Sequence, residues 1–539
     1  MTKKSFLINR HIWICAALSL IALQLQAQQI TGRGHATLTI TDNKVTHIDW
    51  NTPEETAARQ QTCTRGNFYD KGSIFLFDIW WFSYNYPSTG GDGQPVTLTA
   101  LACMPDDNSP STAINNVVIG CHSTITENTK CPTQFNEHGQ MHSEVFALMI
   151  HAGTVLFGTP PQSDNNHYNL VIIPDYEGYG GTKDRAHPYL CEEITARQVT
   201  DAARYGITLY QTDTETSNIR RNFRSEWRTI CMGYSQGAAV AMATQRYIEE
   251  QDLTGELHLA GSICGDGPYN PIATFLYYME QDLKDKELEM PVVIPLILKG
   301  LCDYNSHLKN YKVSDILEER FLETGILDWI AAKEKSTTDI TNQWQLCYID
   351  GKNGDSNYFR NVVTAYGKAM LRNIMKPEVY NYFKQLLTDN PNYATEQVAL
   401  PAGGNIAEDL HLALEDNNVT RGWMPQHLIC LYHSTADDVV PMQNCTSAQT
   451  AFGEKTEFYA SAANGNHPDT GTEFYTSTAR EDCLRKLANQ AIFPPTKLEK
   501  DTFYNSKDPD AARCYDLKGQ PVNKGAHRGI YIKNGKKFR

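Results

Sequence analysis

The sequence predicts an α/β fold, with helices on both faces of a mostly parallel sheet. Its 539 residues are 41% hydrophobic and 20% charged, which suffices for a sizeable core and excludes disordered and collagen-like classes. Continuous apolar runs of strand length alternate with helical stretches, as is typical of strands buried on both faces. These runs are 117–119, 170–173, 229–232, 257–263 and 428–432.

The first 27 residues predict a secretory signal peptide rather than part of the fold. Three basic residues precede an apolar stretch at 12–25, and the small residue Ala27 follows it. A membrane anchor would need about 20 apolar residues, whereas this stretch is shorter and is interrupted by Gln24. We therefore expect cleavage before Gln28 and an exported protein, either secreted or held at the cell surface.

The charge balance excludes two classes of partner. The formal net charge is -14, and loss of the leader's three basic residues leaves 45 positive against 62 negative side chains, or -17. Binding to nucleic acid or to an anionic membrane through bulk charge would need a basic surface. The chain also has no Cys-x-x-Cys pair and no Cys/His cluster with zinc spacing. We expect no structural metal and no cofactor.

The remaining elements indicate one catalytic core that is split by an insertion. Aromatic-rich segments at 74–86 and 95–104 flank a turn cluster at 88–93 and predict a β-hairpin. Helical apolar spacing in 272–283, 313–330 and 377–387, without a buried strand, predicts a helical insertion. The predicted divisions are a signal peptide at 1–27, a core at 28–267 and 427–495, an insertion at 268–426 and a β tail at 496–539.

The pentapeptide Gly233-Tyr234-Ser235-Gln236-Gly237 carries the strongest functional signal. It follows the strand predicted at 229–232 and precedes a helix rich in small residues, which is the strand-turn-helix setting of a nucleophile elbow. Glycines flank the serine because its backbone is strained and the turn packs tightly. The pattern predicts Ser235 as a nucleophile whose side chain projects above the sheet.

A serine nucleophile needs a base and an acid that orients the base. Asp437 and Asp438 follow the strand predicted at 428–432, and the Asp-x-x-Val-Pro pattern favours Asp437 over its neighbour. His467 follows a further predicted strand at 456–460 and is the only histidine after Asp437 outside the tail. The order Ser, Asp, His, each after a strand, predicts a catalytic triad.

An oxyanion hole needs two backbone donors. The N–H of Gln236 is one candidate, because this residue follows the nucleophile. The N–H groups around Ser123 and Thr124, in the loop after the strand at 117–119, are candidates for the second donor. His122 either lines the pocket or fixes this loop as a structural residue.

Two further segments resemble a known family. The residues at 174–180 read Pro-Asp-Tyr-Glu-Gly-Tyr-Gly and those at 422–425 read Gly-Trp-Met-Pro. With the triad pattern, they make the chain resemble the α/β-hydrolase superfamily, specifically lid-bearing esterases and lipases similar to the secretory lipase group. The resemblance covers about 74–490 and implies that the helical insertion is a lid. Ser123 and Ser434 depart from it, since relatives usually carry glycine after the preceding histidine.

The C-terminal tail differs in composition from the rest of the chain, since its last 39 residues hold nine Lys or Arg against four Asp. Tyr-Asp-Leu-Lys-Gly at 515–519 and Gly-Ile-Tyr-Ile at 529–532 resemble the C-terminal sorting domains of type IX secretion cargo. The resemblance implies secretion machinery as a partner. An ordinary β appendage is the alternative.

The sequence therefore predicts a secreted serine hydrolase that cleaves carboxylic esters through an acyl-enzyme intermediate. Its substrate would be a small-molecule, lipid or carbohydrate ester. One alternative is a peptidase similar to prolyl oligopeptidases, but these carry a large β-propeller ahead of the catalytic domain, and Ser235 lies too early for one. A non-catalytic surface binding protein that retains the fold is the other alternative.

Overall fold

The computed structural model describes most of the chain between residues 30 and 492, together with four short segments near the C-terminus. The described ranges are 30–41, 44–51, 74–105, 113–134, 148, 153–154, 167–213, 222–341, 369–476, 478–492, 514–516, 521–522, 531–533 and 536–538. The predicted signal peptide at 1–27 lies outside them. No helix within these ranges is long and apolar enough to cross a membrane.

One eleven-stranded sheet forms the centre of the larger unit. Its strands are β1 Ile30–Thr41, β2 Lys44–Asn51, β3 Ile74–Thr89, β4 Pro95–Pro105, β5 Ile114–Cys121, β6 Gly153–Thr154, β7 His167–Pro174, β8 Phe223–Tyr234, β9 Leu259–Gly265, β10 Leu428–His433 and β11 Thr456–Ala460. The five predicted buried strands and the predicted hairpin are all confirmed. The sequence analysis did not predict β1 and β2.

The strand order is β11-β10-β9-β8-β5-β7-β4-β3-β1-β2, with β6 paired to β7. The six strands from β11 to β7 are parallel. The strands β4, β3, β1 and β2 extend the sheet in antiparallel pairs. Because the parallel strands point the same way, the loops that follow them meet at one edge of the sheet.

Helices cover both faces of this sheet. They are α1 Glu192–Thr212, α2 Gln236–Glu250, α3 Thr254–Leu257, α4 Pro271–Leu283, α5 Val293–Tyr304, α6 Val313–Ile316, α7 Glu319–Leu322, α8 Ile326–Ala332, α9 Leu371–Ile374, α10 Pro377–Asp389, α11 Ile406–Asp416, α12 Gln443–Phe452, α13 His467–Thr476 and α14 Thr478–Ile492. Short 3-10 turns lie at Asn128–Lys130, Pro132–Gln134, Gly180–Thr182 and Gly453–Lys455.

The side chains of β5 show how the sheet is buried on both faces. Val117 and Ile119 belong to one hydrophobic cluster, together with residues of α1 and α2. Val118, which points the opposite way, belongs to a second cluster with Leu487 of α14. All three valine and isoleucine side chains are fully buried. The alternation explains why the predicted strand is a continuous apolar run.

The residues described between β9 and β10 form helices α4 to α11 and no strand of the sheet. The predicted helices at 272–283 and 377–387 are α4 and α10. The prediction of helical structure throughout 313–330 is wrong, because α6, α7 and α8 are separate short helices. Between α6 and α7 the backbone leaves the helical hydrogen-bond pattern and pairs with a remote segment instead. Glu318 N donates to Ile374 O (2.9 Å), and Lys376 N donates to Ile316 O (2.8 Å). Gly325, with φ of 77°, separates α7 from α8.

The C-terminal residues form a second unit, 492–539. It contains a four-stranded antiparallel sheet in the order β13-β12-β14-β15. The strands are β12 Cys514–Asp516, β13 Pro521–Val522, β14 Tyr531–Lys533 and β15 Lys536–Phe538. A small β appendage is therefore present, and its role as a secretion signal stays a prediction.

Candidate active site

Ser235 is the single residue that joins β8 to α2, and its backbone conformation is strained. Its φ is 56° and its ψ is -126°, a region that non-glycine residues rarely occupy and that costs about 1–3 kcal/mol. The turn is held from one side by the neighbouring strand, because Ser235 N donates to Gly265 O at 2.8 Å. The strained turn lies at the edge of the sheet where the loops after the parallel strands meet.

The glycines of the pentapeptide are required for space. A Cβ atom on Gly237 would lie 2.0 Å from the carbonyl oxygen of Cys121, the last residue of β5. A Cβ atom on Gly233 would lie 2.3 Å from the carbonyl oxygen of Gly237. Both contacts are to backbone atoms, which cannot rotate away. The predicted packing reason for these glycines agrees with the observed distances.

The structure brings the predicted base and acid to this turn. His467, the first residue of α13, places Nε2 2.8 Å from Ser235 Oγ. Its Nδ1 lies 2.5 Å from Asp437 Oδ2 in the loop after β10. All three side chains are buried. Nucleophile, imidazole and carboxylate thus form a continuous hydrogen-bonded chain across three loops that are remote in sequence.

Asp437 is held as a carboxylate by donors on both of its oxygens. Oδ2 faces His467, and Oδ1 accepts from the backbone N–H groups of Val439 (2.9 Å) and Val440 (2.7 Å). Burial alone would raise the pKa of Asp437, but the charge and hydrogen bond of His467 outweigh burial, so the pKa lies below its ordinary value. The rival Asp438 accepts from the backbone N–H of His467, at 3.3 Å, and not from its ring. The imidazole therefore contacts the aspartate that the sequence pattern favoured.

A second buried carboxyl group, which the sequence analysis missed, lies beside Asp437. Asp266 directly follows β9, and its Oδ2 lies 2.8 Å from the hydroxyl of Tyr234. Its Oδ1 accepts from Ser434 N (3.0 Å) and lies 3.1 Å from His433 Nδ1. A polar residue directly after a buried strand was the available signal, but its proximity to Asp437 depends on the pairing of β9 with β10.

Among the described residues, one group of side chains is spaced closely enough to hold a metal ion. It consists of Asp266, His433 and Asp437. Their potential ligand atoms lie within 4.8 Å of one another. The oxygens of Asp437 already accept from His467 and two backbone N–H groups, and those of Asp266 contact Tyr234 and Ser434. A cation would have to displace these hydrogen bonds, so the donor set fits a metal poorly.

The predicted oxyanion residues lie in two segments that pack against each other. Gln236 is the first residue of α2, and the loop after β5 reaches the same turn through His122, whose carbonyl oxygen would lie 2.8 Å from a Cβ atom on Gly237. In that loop, Thr124 Oγ1 lies 2.7 Å from Tyr189 Oη, and Ser123 O lies 2.7 Å from His122 Nδ1. The positions of these segments are compatible with an oxyanion hole, and the roles of Gln236, Ser123 and Thr124 stay predictions.

Two histidines stabilise the backbone around the turn. His122 is fully buried, stacks on Tyr176 at 4.1 Å and has Nε2 3.3 Å from Asp175 O. These contacts favour the structural role that the sequence analysis left open for it. His187, which the sequence analysis missed, has Nδ1 2.8 Å from Glu177 O and Nε2 2.9 Å from the Gln236 amide. Burial lowers the pKa of His187 to about 3, so its neutral ring can accept from that amide.

Solved structures share this architecture. The ligand-bound form of LipA, the rice cell wall degrading esterase from Xanthomonas oryzae, matches with a TM-score of 0.54 and 18% identity, over 88% of this chain and 99% of LipA. A predicted hydrolase from Legionella pneumophila matches with a TM-score of 0.52 and 14% identity, over 84% of this chain and 99% of that protein. No protein-family model and no curated protein sequence matches. The protein has the α/β-hydrolase fold.

Proposed function

We propose that this protein is a serine hydrolase that cleaves carboxylic esters. One observation carries the proposal: Ser235 Oγ, His467 and Asp437 are linked by contacts of 2.8 Å and 2.5 Å at a strained strand-to-helix turn. This arrangement of nucleophile, base and orienting acid is the one that acyl transfer to a serine requires.

In the proposed mechanism, Ser235 Oγ attacks the ester carbonyl while His467 Nε2 accepts its proton. The imidazolium then gives this proton to the departing alcohol, which leaves an acyl group on Ser235. A water molecule, deprotonated by His467, releases the acid and regenerates the serine. Asp437 accepts from Nδ1–H throughout and stabilises the imidazolium. The backbone N–H groups of Gln236 and of the Ser123–Thr124 loop would stabilise the oxyanion.

An ester is favoured over an amide as the substrate for three reasons. The resemblance to lid-bearing esterases and lipases includes the helical insertion, which would bind the acyl group and exclude water. LipA, which shares the fold, is named as an esterase. In addition, the described strands ahead of Ser235 belong to the same sheet as β8, whereas a prolyl oligopeptidase would place a propeller there.

A fluorophosphonate probe and a panel of p-nitrophenyl esters test the proposal. We expect the wild-type protein to be labelled and to hydrolyse esters, and we expect Ser235→Ala to lose labelling and about 10⁶-fold in kcat. The panel should contain short and long acyl chains beside proline-containing amides, with Ser225→Ala as the matched control. Ser225 is an exposed residue of β8, ten residues before Ser235 and outside the helical insertion.

Each other result would assign a different function. Turnover of amides without turnover of esters would make the protein a peptidase. Failure of the wild type to react with the probe, or equal labelling of Ser235→Ala, would contradict a serine hydrolase and leave a binding protein that retains the fold.

A further inference from the structure

The hydroxyl of Tyr234 lies between two groups that both act as acceptors when Asp266 is ionised. Its oxygen is 2.6 Å from the carbonyl oxygen of His467 and 2.8 Å from Asp266 Oδ2. A tyrosine hydroxyl has one proton, and a carbonyl oxygen can only accept. If Tyr234 donates to His467 O, the contact with Asp266 needs a proton from Asp266.

His433 adds a second acceptor on the other oxygen of Asp266. Its Nε2 lies 3.0 Å from Val440 O and therefore carries the proton of the neutral imidazole. Its Nδ1 then presents a lone pair 3.1 Å from Asp266 Oδ1, and none of the described residues makes a hydrogen bond to it. Burial lowers the pKa of His433 to about 4, so the ring is neutral near pH 7.

The third neighbour is the carboxylate of Asp437, whose ligand atoms lie within 4.8 Å of those of Asp266 and His433. Within the described ranges, the groups that can donate to Asp266 are the backbone N–H of Ser434 and the Tyr234 hydroxyl, whose one proton is donated either to Asp266 or to His467 O. Asp266 and His433 are buried, at 0% and 1% exposure, so bulk solvent does not reach them. Two adjacent carboxylates in such surroundings would repel each other without compensation.

We infer that Asp266 is a neutral carboxylic acid and a positioning residue: its single proton is donated to one of the acceptors around it and removes the negative charge beside Asp437, which holds Asp437 and His467 in place. Burial raises the pKa of Asp266 well above its ordinary value, and the charge of Asp437 raises it further. The positioning part rests on the proposed function, whereas the protonation part rests on the contacts alone.

The network reaches His467 through Tyr234, whose hydroxyl lies 3.3 Å from the Nδ1 atom that also contacts Asp437. Tyr234 binds the backbone oxygen of His467, and its ring packs 5.0 Å from the imidazole ring, centroid to centroid. Asp266 orients the Tyr234 hydroxyl and, through Ser434 N, the start of the loop that carries Asp437. Loss of the Asp266 proton donor would let the imidazole tilt away from Ser235, and misplacement by about 1 Å can cost about 10²-fold in rate.

Infrared difference spectroscopy tests the protonation. The spectrum of the wild type minus that of Asp266→Asn, recorded near pH 7, should contain one C=O band of a protonated carboxyl group that shifts in D2O. Glu249→Gln is the matched control, because Glu249 is a buried carboxyl group that faces donors; its difference spectrum should show carboxylate bands only. Absence of the acid band in the Asp266 spectrum would overturn the inference.

Steady-state kinetics test the positioning. Asp266→Asn retains one acceptor and a donor in the same place, so we expect kcat within about tenfold of the wild type. Asp266→Leu removes both and should lower kcat by about 10²-fold at unchanged KM. An Asp266→Asn variant as impaired as Asp266→Leu would mean that an ionised carboxylate is required, and would overturn the inference.

Tyr234→Phe keeps the test decisive if the Asp266 variants do not fold. It should lower kcat at unchanged KM and should shift the acid band of Asp266, because that carboxyl group loses a partner. An unchanged kcat together with an unshifted band would contradict the inference. If the wild type does not react with the fluorophosphonate probe, the proposed function and the positioning role fail, while the acid band still decides the protonation.

Discussion

The two ends of helix α2 place buried carboxyl groups in opposite surroundings. Near its first residue, Asp266 contacts Tyr234, His433 and Asp437 and receives a single backbone N–H. Near its last turn, Glu249 is surrounded by donors. The groups that donate to it are the backbone N–H of Gln426 and of His427, the His427 ring, the Trp423 indole and the Gln245 amide.

The difference shows that burial alone does not decide whether a carboxyl group is ionised. Burial raises the pKa of both groups. For Glu249, the hydrogen bonds from His427 and Gln426 outweigh burial, and the pKa lies below its ordinary value. For Asp266, Asp437 adds to the effect of burial and the pKa is raised. The number of donors relative to acceptors around each carboxyl group therefore decides its charge. Glu249, which faces donors, is ionised, whereas Asp266, which faces acceptors, is inferred to be neutral.

The largest expected effect concerns the carboxylate that this network surrounds. Asp437→Asn should lower kcat by about 10⁴-fold with little change in the fold, because the amide stabilises the wrong imidazole tautomer. Asp438→Asn is the matched control and should lower kcat far less, since Asp438 binds the backbone N–H of His467 and Asp437 binds the ring. Stopped-flow or steady-state ester hydrolysis measures both. Equal losses in the two variants would contradict the assignment of the acid.

At the opposite end of α2, the expected effect is on stability. Glu249→Gln replaces a charged acceptor by an amide that cannot satisfy all of the surrounding donors, and it should lower the free energy of unfolding by about 1.5–3 kcal/mol. The kcat per probe-labelled serine should stay at the wild-type value. Chemical denaturation and active-site titration measure the two quantities. A lower kcat of Glu249→Gln at unchanged stability would contradict a purely structural role for Glu249.

The smallest expected effect is the pH dependence of Tm, which should have opposite sign in the two variants. Folded Asp266 keeps its proton above its ordinary value of 3.8, so the wild type loses stability as pH rises from there towards the folded pKa. Asp266→Asn should therefore gain Tm relative to the wild type with rising pH. Glu249 stabilises the fold above its ordinary value of 4.5, so the deficit of Glu249→Gln should shrink as pH falls through its folded pKa. Calorimetry at several pH values measures both slopes.

Most of the sheet and the three central residues could be predicted, because each has a local sequence signal. Continuous apolar runs identified β5, β7, β8, β9 and β10, and glycine spacing identified the turn at Ser235. Asp437 and His467 followed from their order and from their positions after strands. The structure places these three side chains in contact.

The other features depend on contacts between remote segments. The network of Asp266, Tyr234 and His433 exists only because β9 pairs in parallel with β10, which aligns Gly265 with Tyr432. The three short helices in place of one stretch depend on backbone hydrogen bonds between the segments around Ile316 and Ile374. No local pattern records either register, so neither could be deduced from composition or periodicity.

The position of the insertion, between Ser235 and the two residues that would activate it, sets the order in which the chain can acquire its candidate active site during synthesis. His467 follows Ser235 by 232 residues, which takes about 10–50 s at ordinary translation rates. Throughout that interval the nascent chain contains the nucleophile without its base, and until Asp437 is made it lacks the acid as well. A chain truncated before β10 would likewise carry an inert serine. The insertion therefore acts as a built-in delay between making the nucleophile and activating it.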